Sequence, residues 1–390
     1  MIGFFVFACA IAIVLPFFAY PALLWLRASL SPCAIASAEI EPRVDLLIAA
    51  HNEIDSIEAR LENALALDYP KGRLTIWVAS DGSSDGTVEA ARRFESRGVR
   101  VLDLPRGGKA AALVAMVEAS DAEVLALTDA NSDWERGALR ALVRPFADPQ
   151  VGGVAGDQCY VPAESDADGT AGERSYWSFD RLLKRWQSQA GNAISATGAI
   201  YAIRRDCFET PPPDATDDFM ISTGVIAKGL RLVFSEEARA FEPPAEPNAG
   251  EFRRKVRITT RGLRAVWHRR ALLNPRRTGL YAIELAVHKL WRRLTWIPLA
   301  GLVLLTPAAL LTGPILGAMT VAASGLVLAG VLAELRPSLA RLRPFAIARY
   351  VVMVNAACAL ATWNSIRGHR VARWDTERAS SDAPTVERAS

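Results

Sequence analysis

Residues 74–97 read LTIWVASDGSSDGTVEAARRFESR: an apolar run that ends near Asp81, a turn through two glycines, and an amphipathic helical stretch. Three more apolar runs, each followed by a helical stretch, lie at 44–50, 99–104 and 123–128. Apolar runs that alternate with amphipathic helices are typical of a parallel sheet whose two faces are covered. The sequence therefore predicts a Rossmann-like α/β domain with a mostly parallel sheet over residues 40–250.

The composition is that of a chain that is partly embedded in a membrane. Of the 390 residues, 51% are hydrophobic, and the mean hydropathy is +0.14. The net charge of only +3 gives no support to a nucleic-acid partner. The five cysteines are scattered, with no spacing typical of a zinc site or of a disulfide framework.

The N-terminus predicts a membrane anchor. Residues 2–26 carry no charge and are long enough to span a bilayer. They lack the basic flank of a cleaved signal peptide, so we expect an uncleaved transmembrane helix at residues 1–28. Arg27 and Arg43 follow this stretch, and the positive-inside rule then puts the α/β domain in the cytoplasm, at the inner membrane.

The C-terminal third predicts further membrane segments within residues 295–366. Three apolar stretches lie at about 296–311, 313–333 and 345–363. The linker 336–344 and the start of the polar tail 367–390, which we expect to be flexible, both carry arginines, and both read as cytoplasmic. If the last stretch crosses the membrane once, its two ends lie on opposite sides, so the linker and the tail cannot both be cytoplasmic. Either that stretch is re-entrant or interfacial, or the charge rule fails here.

Residues 251–294 form a basic amphipathic region. Ten arginines and lysines lie between Glu251 and Arg277 against one acid, with apolar residues interleaved. This pattern predicts helices that lie flat on an anionic membrane surface, with membrane lipids as partners.

Polar residues at the ends of the predicted strands mark a candidate site. A carboxylate at the strand-end position of Asp81 can accept hydrogen bonds from a ribose or a base. Asp129 and Asn131 alternate at another strand end and so point the same way. Their oxygens suit a hard divalent cation such as Mg²⁺ or Mn²⁺.

Two further segments carry charges that suit chemistry. Lys109 follows two glycines at a helix start, where backbone N–H groups attract phosphate, although the Walker pattern is absent. Asp217 and Asp218 are adjacent, and paired carboxylates raise each other's proton affinity, which favours one of them as a general base. The alternative is that Thr216 or Asp217 caps a helix.

Together these motifs resemble the family 2 glycosyltransferases, which are inverting enzymes with a GT-A fold. The motifs, in chain order, are Ala50-His51-Asn52-Glu53, Asp81-Gly82, Gly108-Lys109, Asp129-Ala130-Asn131, Gly198 and Asp217-Asp218. The chain is most similar to membrane-embedded synthases of poly-N-acetylglucosamine, hyaluronan, Nod-factor chitin oligosaccharides and cellulose. The resemblance covers about residues 40–260.

The resemblance implies a role for each matching residue. Asn52, Glu53 and Asp81 would hold the base and ribose of a nucleotide-sugar donor, and Lys109 would contact its phosphates. Asp129 and Asn131 would bind the divalent metal and the diphosphate. Gly198 would lie on the acceptor side, and Asp218, preceded by Asp217, would be the general base.

The chain departs from the processive members of the family at residues 254–258. Those members have a Gln-x-x-Arg-Trp motif, whose tryptophan stacks on the acceptor sugar. Here the segment reads Arg254-Lys255-Val256-Arg257-Ile258. Arg257 is retained and would clamp the diphosphate, and Arg254 stands in place of the glutamine on the acceptor side. Trp267 and Trp186 are the two candidate substitutes for the tryptophan.

The leading hypothesis is a membrane-bound, metal-dependent transferase that moves a sugar from a nucleotide sugar, expected to be a UDP-sugar, to a glycan or a lipid-linked acceptor. Within that class, polymerisation competes with the addition of a single sugar to a polyprenyl carrier. From a different class, the chain would be a non-catalytic membrane protein that binds nucleotide sugars. The sequence leaves the sugar, the linkage and the oligomeric state open.

Overall fold

The structure is a computed structural model that describes residues 1–160, 171–242 and 250–369. Its centre is a mixed sheet with the strand order β3-β2-β1-β4-β7-β6-β8-β5. The strands are β1 (Val44–Ala50), β2 (Leu74–Asp81), β3 (Val99–Leu104), β4 (Val124–Asp129), β5 (Asp133–Trp134), β6 (Val151–Tyr160), β7 (Tyr201–Arg204) and β8 (Arg231–Glu242). The part of the predicted tail beyond residue 369 lies outside the described residues.

The longer helices flank the sheet or lie at the two ends of the chain. In chain order they are α1 (Ile2–Leu30), α2 (Ile54–Leu65), α3 (Thr87–Arg92), α4 (Lys109–Ala119), α5 (Ala138–Val143), α6 (Ala171–Ala190), α7 (Asp217–Ala227), α8 (Glu251–His268), α9 (Leu280–Leu294), α10 (Trp296–Thr312), α11 (Pro314–Leu335) and α12 (Arg343–Ile366). A single helical turn at Pro275–Thr278 links α8 to α9.

The first four strands form the parallel half of the sheet. Strand β1 lies at its centre and is buried on both faces. Leu46 and Ile48 point into one core, while Leu47 and Ala49 point into the core on the other face. Two buried faces explain why these strands read as continuous apolar runs rather than as alternating patterns. The parallel pairing also brings the carboxyl ends of β2, β1 and β4 to one edge.

The second half of the sheet is mixed. Strand β7 is antiparallel to both β4 and β6, and β8 runs parallel to β6. Four of the seven strand pairs are parallel, so the predicted mostly parallel sheet is confirmed. Neither β8 nor the short β5 was predicted from the sequence.

Three described helices, α1, α11 and α12, are long and apolar enough to cross a bilayer. Helices α9 and α10 meet at a bend of 45° and would make a fourth crossing if they count as one span. Helix α11 packs closely on α12, because a side chain at Gly330 would come within 2.7 Å of the Ala348 carbonyl oxygen. Close packing through small residues is typical of helices in membranes.

Helix α1 also packs against a helix of the central domain. Its second half packs Tyr20, Leu24 and Ala28 against Leu183 and Ala190 of α6. This candidate membrane-spanning helix is therefore in direct contact with the central domain.

Candidate active site

The carboxyl edge of the parallel strands holds a buried carboxylate. Asp81, at the end of β2, is 1% exposed, and its Oδ1 accepts hydrogen bonds from the N–H groups of Gly107 (2.6 Å) and Gly108 (2.8 Å). Its Oδ2 lies 2.9 Å from Nη1 of Arg106. Asp81 thus holds the turn that opens α4, and these two backbone N–H groups bind a protein carboxylate here.

The end of β1 is tied to the same turn region. His51 Nδ1 lies 2.8 Å from the carbonyl oxygen of Asp81. Asn52 has a left-handed backbone (φ 52°), which asparagine tolerates better than most residues, and its Oδ1 accepts a bond from the Ser84 N–H at 2.9 Å. Glu53 is buried, and its backbone N–H donates to the Thr87 hydroxyl at 2.8 Å.

Lys109 joins two carboxylates that are far apart in sequence. Its Nζ lies 2.5 Å from Oδ1 of Asp129, at the end of β4, and 3.0 Å from Oδ2 of Asp217, at the start of α7. Burial alone would lower the pKa of Lys109, but the two carboxylates outweigh it, and the pKa is raised. Burial would likewise raise the pKa of Asp217, yet the Lys109 charge leaves it lowered. The structure thus gathers residues from three segments into one polar site.

Asp218 differs from its neighbour in the direction of its pKa shift. Burial, and then the negative charge of Asp217, raise the pKa of Asp218 to about 6. Its Oδ1 accepts a hydrogen bond from the Phe219 N–H at 2.8 Å. Two adjacent carboxylates whose pKa values move in opposite directions are an arrangement that suits proton transfer.

Gly198 lies directly against Asp129. A Cβ atom at position 198 would be 2.6 Å from Oδ2 of Asp129, so the close approach requires glycine. Tyr201, buried at the start of β7, has its pKa raised by burial and by the charges of Asp217, Asp218 and Asp129. Both observations place the carboxylates around one volume.

Glu242 is a buried acid at this site that the sequence analysis missed. It ends β8, accepts a hydrogen bond from the hydroxyl of Ser132, and accepts a second from Gln158 Nε2 at 2.5 Å. Burial, and then the charge of Asp129, raise the pKa of Glu242 to about 7. Its position at a strand end was the available signal, but β8 was not recognised as a strand.

Helix α8 brings cations to the other side of Asp217 and Asp218. Arg261, which the sequence analysis did not select, is within electrostatic reach of both carboxylates, and its Nη2 donates to the Ala215 carbonyl oxygen at 2.5 Å. Arg257 lies one turn earlier and within reach of Arg261.

The remaining acceptor-side candidates lie on the same helix. Arg254 precedes Arg257 by almost one turn and is half-buried. Trp267 is 70% exposed, with the guanidinium of Arg270 5.5 Å from its ring centre. It lies six residues after Arg261 and therefore on a different face of α8.

Comparison with known proteins identifies the central domain. The family described as "Glycosyl transferase family 2" matches residues 45–210. The chain contains a family 2 glycosyl transferase domain. The matched range includes the strand-end residues and Lys109, while Asp217, Asp218 and α8 follow it.

Two curated relatives share this domain. The poly-β-1,6-N-acetyl-D-glucosamine synthase of Staphylococcus aureus (strain MSSA476) is 27% identical over 221 residues, which are 55% of this chain and 53% of the relative. The β-monoglucosyldiacylglycerol synthase of Trichormus variabilis is 27% identical over 174 residues, 43% of this chain and 37% of the relative. The aligned part of the chain thus spans about half or less of these relatives' lengths.

A solved structure supports the fold around the glycosyl transferase domain. The mannosyltransferase PcManGT from Pyrobaculum calidifontis, solved with GDP-Man and Mn²⁺, has a TM-score of 0.67 and 23% identity. The comparison covers 94% of this chain and 100% of that one. The predicted GT-A fold with flanking helices is confirmed.

Proposed function

We propose that the chain is a membrane-bound inverting glycosyltransferase that transfers a sugar from a nucleotide sugar to an acceptor hydroxyl. The observation that carries the proposal is the bridge from Lys109 to Asp129 and Asp217, with the second carboxylate, Asp218, next to it. The nucleotide sugar is the donor named for the solved structure of similar fold. We further propose that the domain faces the cytoplasm at the inner membrane.

The chemistry needs one base and one site for the leaving group. Asp218 takes the proton of the acceptor hydroxyl, and the hydroxyl oxygen forms a bond to C1 of the sugar. The bond from C1 to the diphosphate oxygen breaks, and the electron pair leaves with the nucleoside diphosphate. Lys109 offers the diphosphate a positive charge in a mostly buried position.

A divalent ion fits the residues if it arrives with the donor. No group of three or more His, Cys, Asp or Glu side chains within residues 1–160, 171–242 and 250–369 is placed to hold an ion. Asp129 and Asn131 can offer two oxygens, and Mg²⁺ typically binds one or two carboxylates together with substrate phosphates. When bound, the ion neutralises the charge that develops on the leaving diphosphate.

The test is donor turnover by the purified full-length protein. Release of nucleoside diphosphate is measured over a panel of UDP- and GDP-sugars, with Mn²⁺, with Mg²⁺ and with a chelator. We expect turnover of at least one donor and its loss on chelation. Binding of a nucleotide sugar with no turnover of any donor, with membrane lipids present, would instead favour the non-catalytic hypothesis.

We expect an acidic limb in the pH profile. Asp218 must be ionised to accept a proton, and the pKa of its carboxyl is about 6. The value of kcat/KM should therefore rise with pH below about 6, by about tenfold per unit, and level off above it. The measurement is kcat/KM from pH 4.5 to 8 with a constant-ionic-strength buffer. A flat profile across pH 6 would contradict the assignment of the base.

Gly198→Ala tests the position of Asp129. The new methyl group would overlap Oδ2 of Asp129 and push the carboxylate away from Lys109. We expect kcat/KM to fall by up to about 100-fold, because catalysis needs the Asp129 carboxylate in its position next to Lys109. The melting temperature should change little, because the end of the Asp129 side chain can rotate away at a small cost in folding free energy. Gly137→Ala is the matched control, since a Cβ there has no atom within 4 Å.

Polymerisation and single-sugar addition remain two forms of the proposal. The altered segment at residues 254–258 favours limited addition, and the apolar helices at the C-terminus favour handling of a polymer. Product length on a gel separates them.

A further inference from the structure

The acceptor side of the site carries two cations that the proposed reaction does not use. Arg261 of α8 and Lys289 of α9 are both half-buried, and each lies within electrostatic reach of Asp218. Lys289 Nζ is 6.0 Å from the ring centre of Phe219, the residue that follows Asp218. We refer to Arg261 and Lys289 as the acceptor cations.

The two helices that carry these cations are in contact. The guanidinium of Arg293, one turn after Lys289, packs against Gly262, where a Cβ atom would come within 2.5 Å of Nη2. Gly262 is the neighbour of Arg261 in sequence. The contact holds the two helices together. Arg261 donates to the carbonyl oxygen of Ala215, three residues before Asp218, and Lys289 faces Phe219, the residue after it.

Neither acceptor cation has a carboxylate within ion-pair distance among the residues that the structure describes. Arg261 donates to a carbonyl oxygen, and Lys289 faces the Phe219 ring. Asp180 is the carboxylate with the strongest electrostatic effect on Lys289. Its oxygens already lie 3.2–3.7 Å from side-chain nitrogens of His288, Lys184 and Arg292. Half-buried positive charge that no carboxylate contacts directly favours an anionic ligand.

The position of Lys289 relates this charge to the membrane helices. Lys289 lies in a π-helical turn, Ala286–Trp291, a type of turn that is frequent at functional sites. Two residues later, Trp291 Nε1 donates to the Ala12 carbonyl oxygen of α1 at 2.7 Å. Basic pockets between membrane helices are typical binding sites for phosphate-containing lipid headgroups.

We propose that the acceptor cations bind the phosphate groups of a lipid-diphosphate-linked sugar, whose sugar hydroxyl reaches Asp218. This inference rests on the proposed function and names the acceptor class for the same site. A neutral glycan end would gain little from two cations. A lipid phosphate without a sugar would have no need of a base, because its oxygen is already ionised at neutral pH.

The binding test uses farnesyl diphosphate as the probe, with farnesol and inorganic pyrophosphate for comparison. Full-length protein in nanodiscs is first saturated with Mn²⁺ and the nucleoside diphosphate of its donor, so that the diphosphate site is filled. We expect farnesyl diphosphate to bind at least about tenfold more tightly than either comparison compound. Equal binding of farnesol, or of inorganic pyrophosphate, would overturn a lipid diphosphate as the ligand.

Variants assign the binding to the acceptor cations. We expect Lys289→Met and Arg261→Gln each to weaken the binding of farnesyl diphosphate by about tenfold or more, since a hydrogen bond between charged groups is lost. Lys289→Arg should restore most of the affinity, and Arg276→Gln, an exposed cation between the two helices, should change nothing. Unchanged binding in both neutralised variants, with nucleoside diphosphate still bound, would overturn the proposal.

Acceptor assays then separate this inference from the proposed function. Transfer to a prenyl-diphosphate-linked sugar is compared with transfer to the same sugar on an uncharged alkyl chain, over a panel of sugars. We expect Lys289→Met to raise KM for the charged acceptor about tenfold and to leave KM for the uncharged acceptor unchanged. Equal use of both acceptors overturns the inference alone, whereas failure of the wild type to release nucleoside diphosphate from any donor with any acceptor in the panel overturns the proposed function.

Discussion

Replacing Asp218 with asparagine is expected to reduce sugar transfer by about 10²- to 10⁴-fold, the usual contribution of a general base. Asparagine keeps the shape of the side chain, and its Oδ1 can still accept the bond from the Phe219 N–H. It cannot take the proton of the acceptor hydroxyl. The measurement is kcat at saturating donor and acceptor.

The same variant should not lose stability. The raised pKa of Asp218 means that its ionised form is disfavoured in the folded protein relative to the unfolded chain. Above pH 6 the neutral asparagine removes that cost, so the melting temperature is expected to stay level or to rise. The acidic limb of the pH profile should disappear with the base.

A matched control is Asp55→Asn. Asp55 is the second residue of α2, as Asp218 is the second residue of α7, but its side chain is exposed. Its replacement should leave transfer unchanged. If Asp218→Asn retained more than about a tenth of the wild-type rate, the base would have to be sought elsewhere.

Lys109→Met is expected to damage both the fold and donor binding. The change leaves Asp129 and Asp217 close together with no cation between them. Removal of one partner from a buried ion pair costs about 3 kcal/mol or more, and we expect the lower value because the Asp129 side chain is 34% exposed. Melting followed by tryptophan fluorescence should show a drop of several degrees.

The loss of the Lys109 charge should also weaken binding of the diphosphate part of the donor. We expect the dissociation constant of the nucleoside diphosphate to rise by about tenfold or more, measured by calorimetry with Mn²⁺ present. Lys71→Met, which removes an exposed lysine before β2, is the control. Unchanged affinity in a folded Lys109→Met protein would remove Lys109 from the donor site.

The parallel strands could be predicted closely from the sequence. β1 has the predicted bounds, Val44–Ala50, because both of its faces are buried and every side chain in it is either apolar or hydrogen-bonded. Even Asp45 has a buried partner, the indole N–H of Trp77 at 2.9 Å. β8 was missed because its pattern is broken by polar residues and by a register shift in its pairing with β6.

The site was predictable at the level of strand ends but not of contacts. That Asp81 and Asp129 share an edge follows from parallel pairing. That Lys109 reaches Asp217, more than a hundred residues away, depends on how α7 packs, which no local pattern encodes. The choice between Arg257 and Arg261 was also beyond the sequence, since basic residues recur on α8 at almost every turn.

Arg27, near the end of α1, pairs with Glu284 of α9 and donates from Nη2 to the Ala190 carbonyl oxygen of α6 at 2.5 Å. This link ties the end of α1 to α6 of the central domain and to α9. In a bilayer, these contacts would hold Asp218 at a fixed distance from the membrane surface. A lipid-anchored acceptor would then be glycosylated only if its reactive hydroxyl lies at the same distance from the membrane. The length of the acceptor would thus limit the choice of acceptor before its chemical identity does.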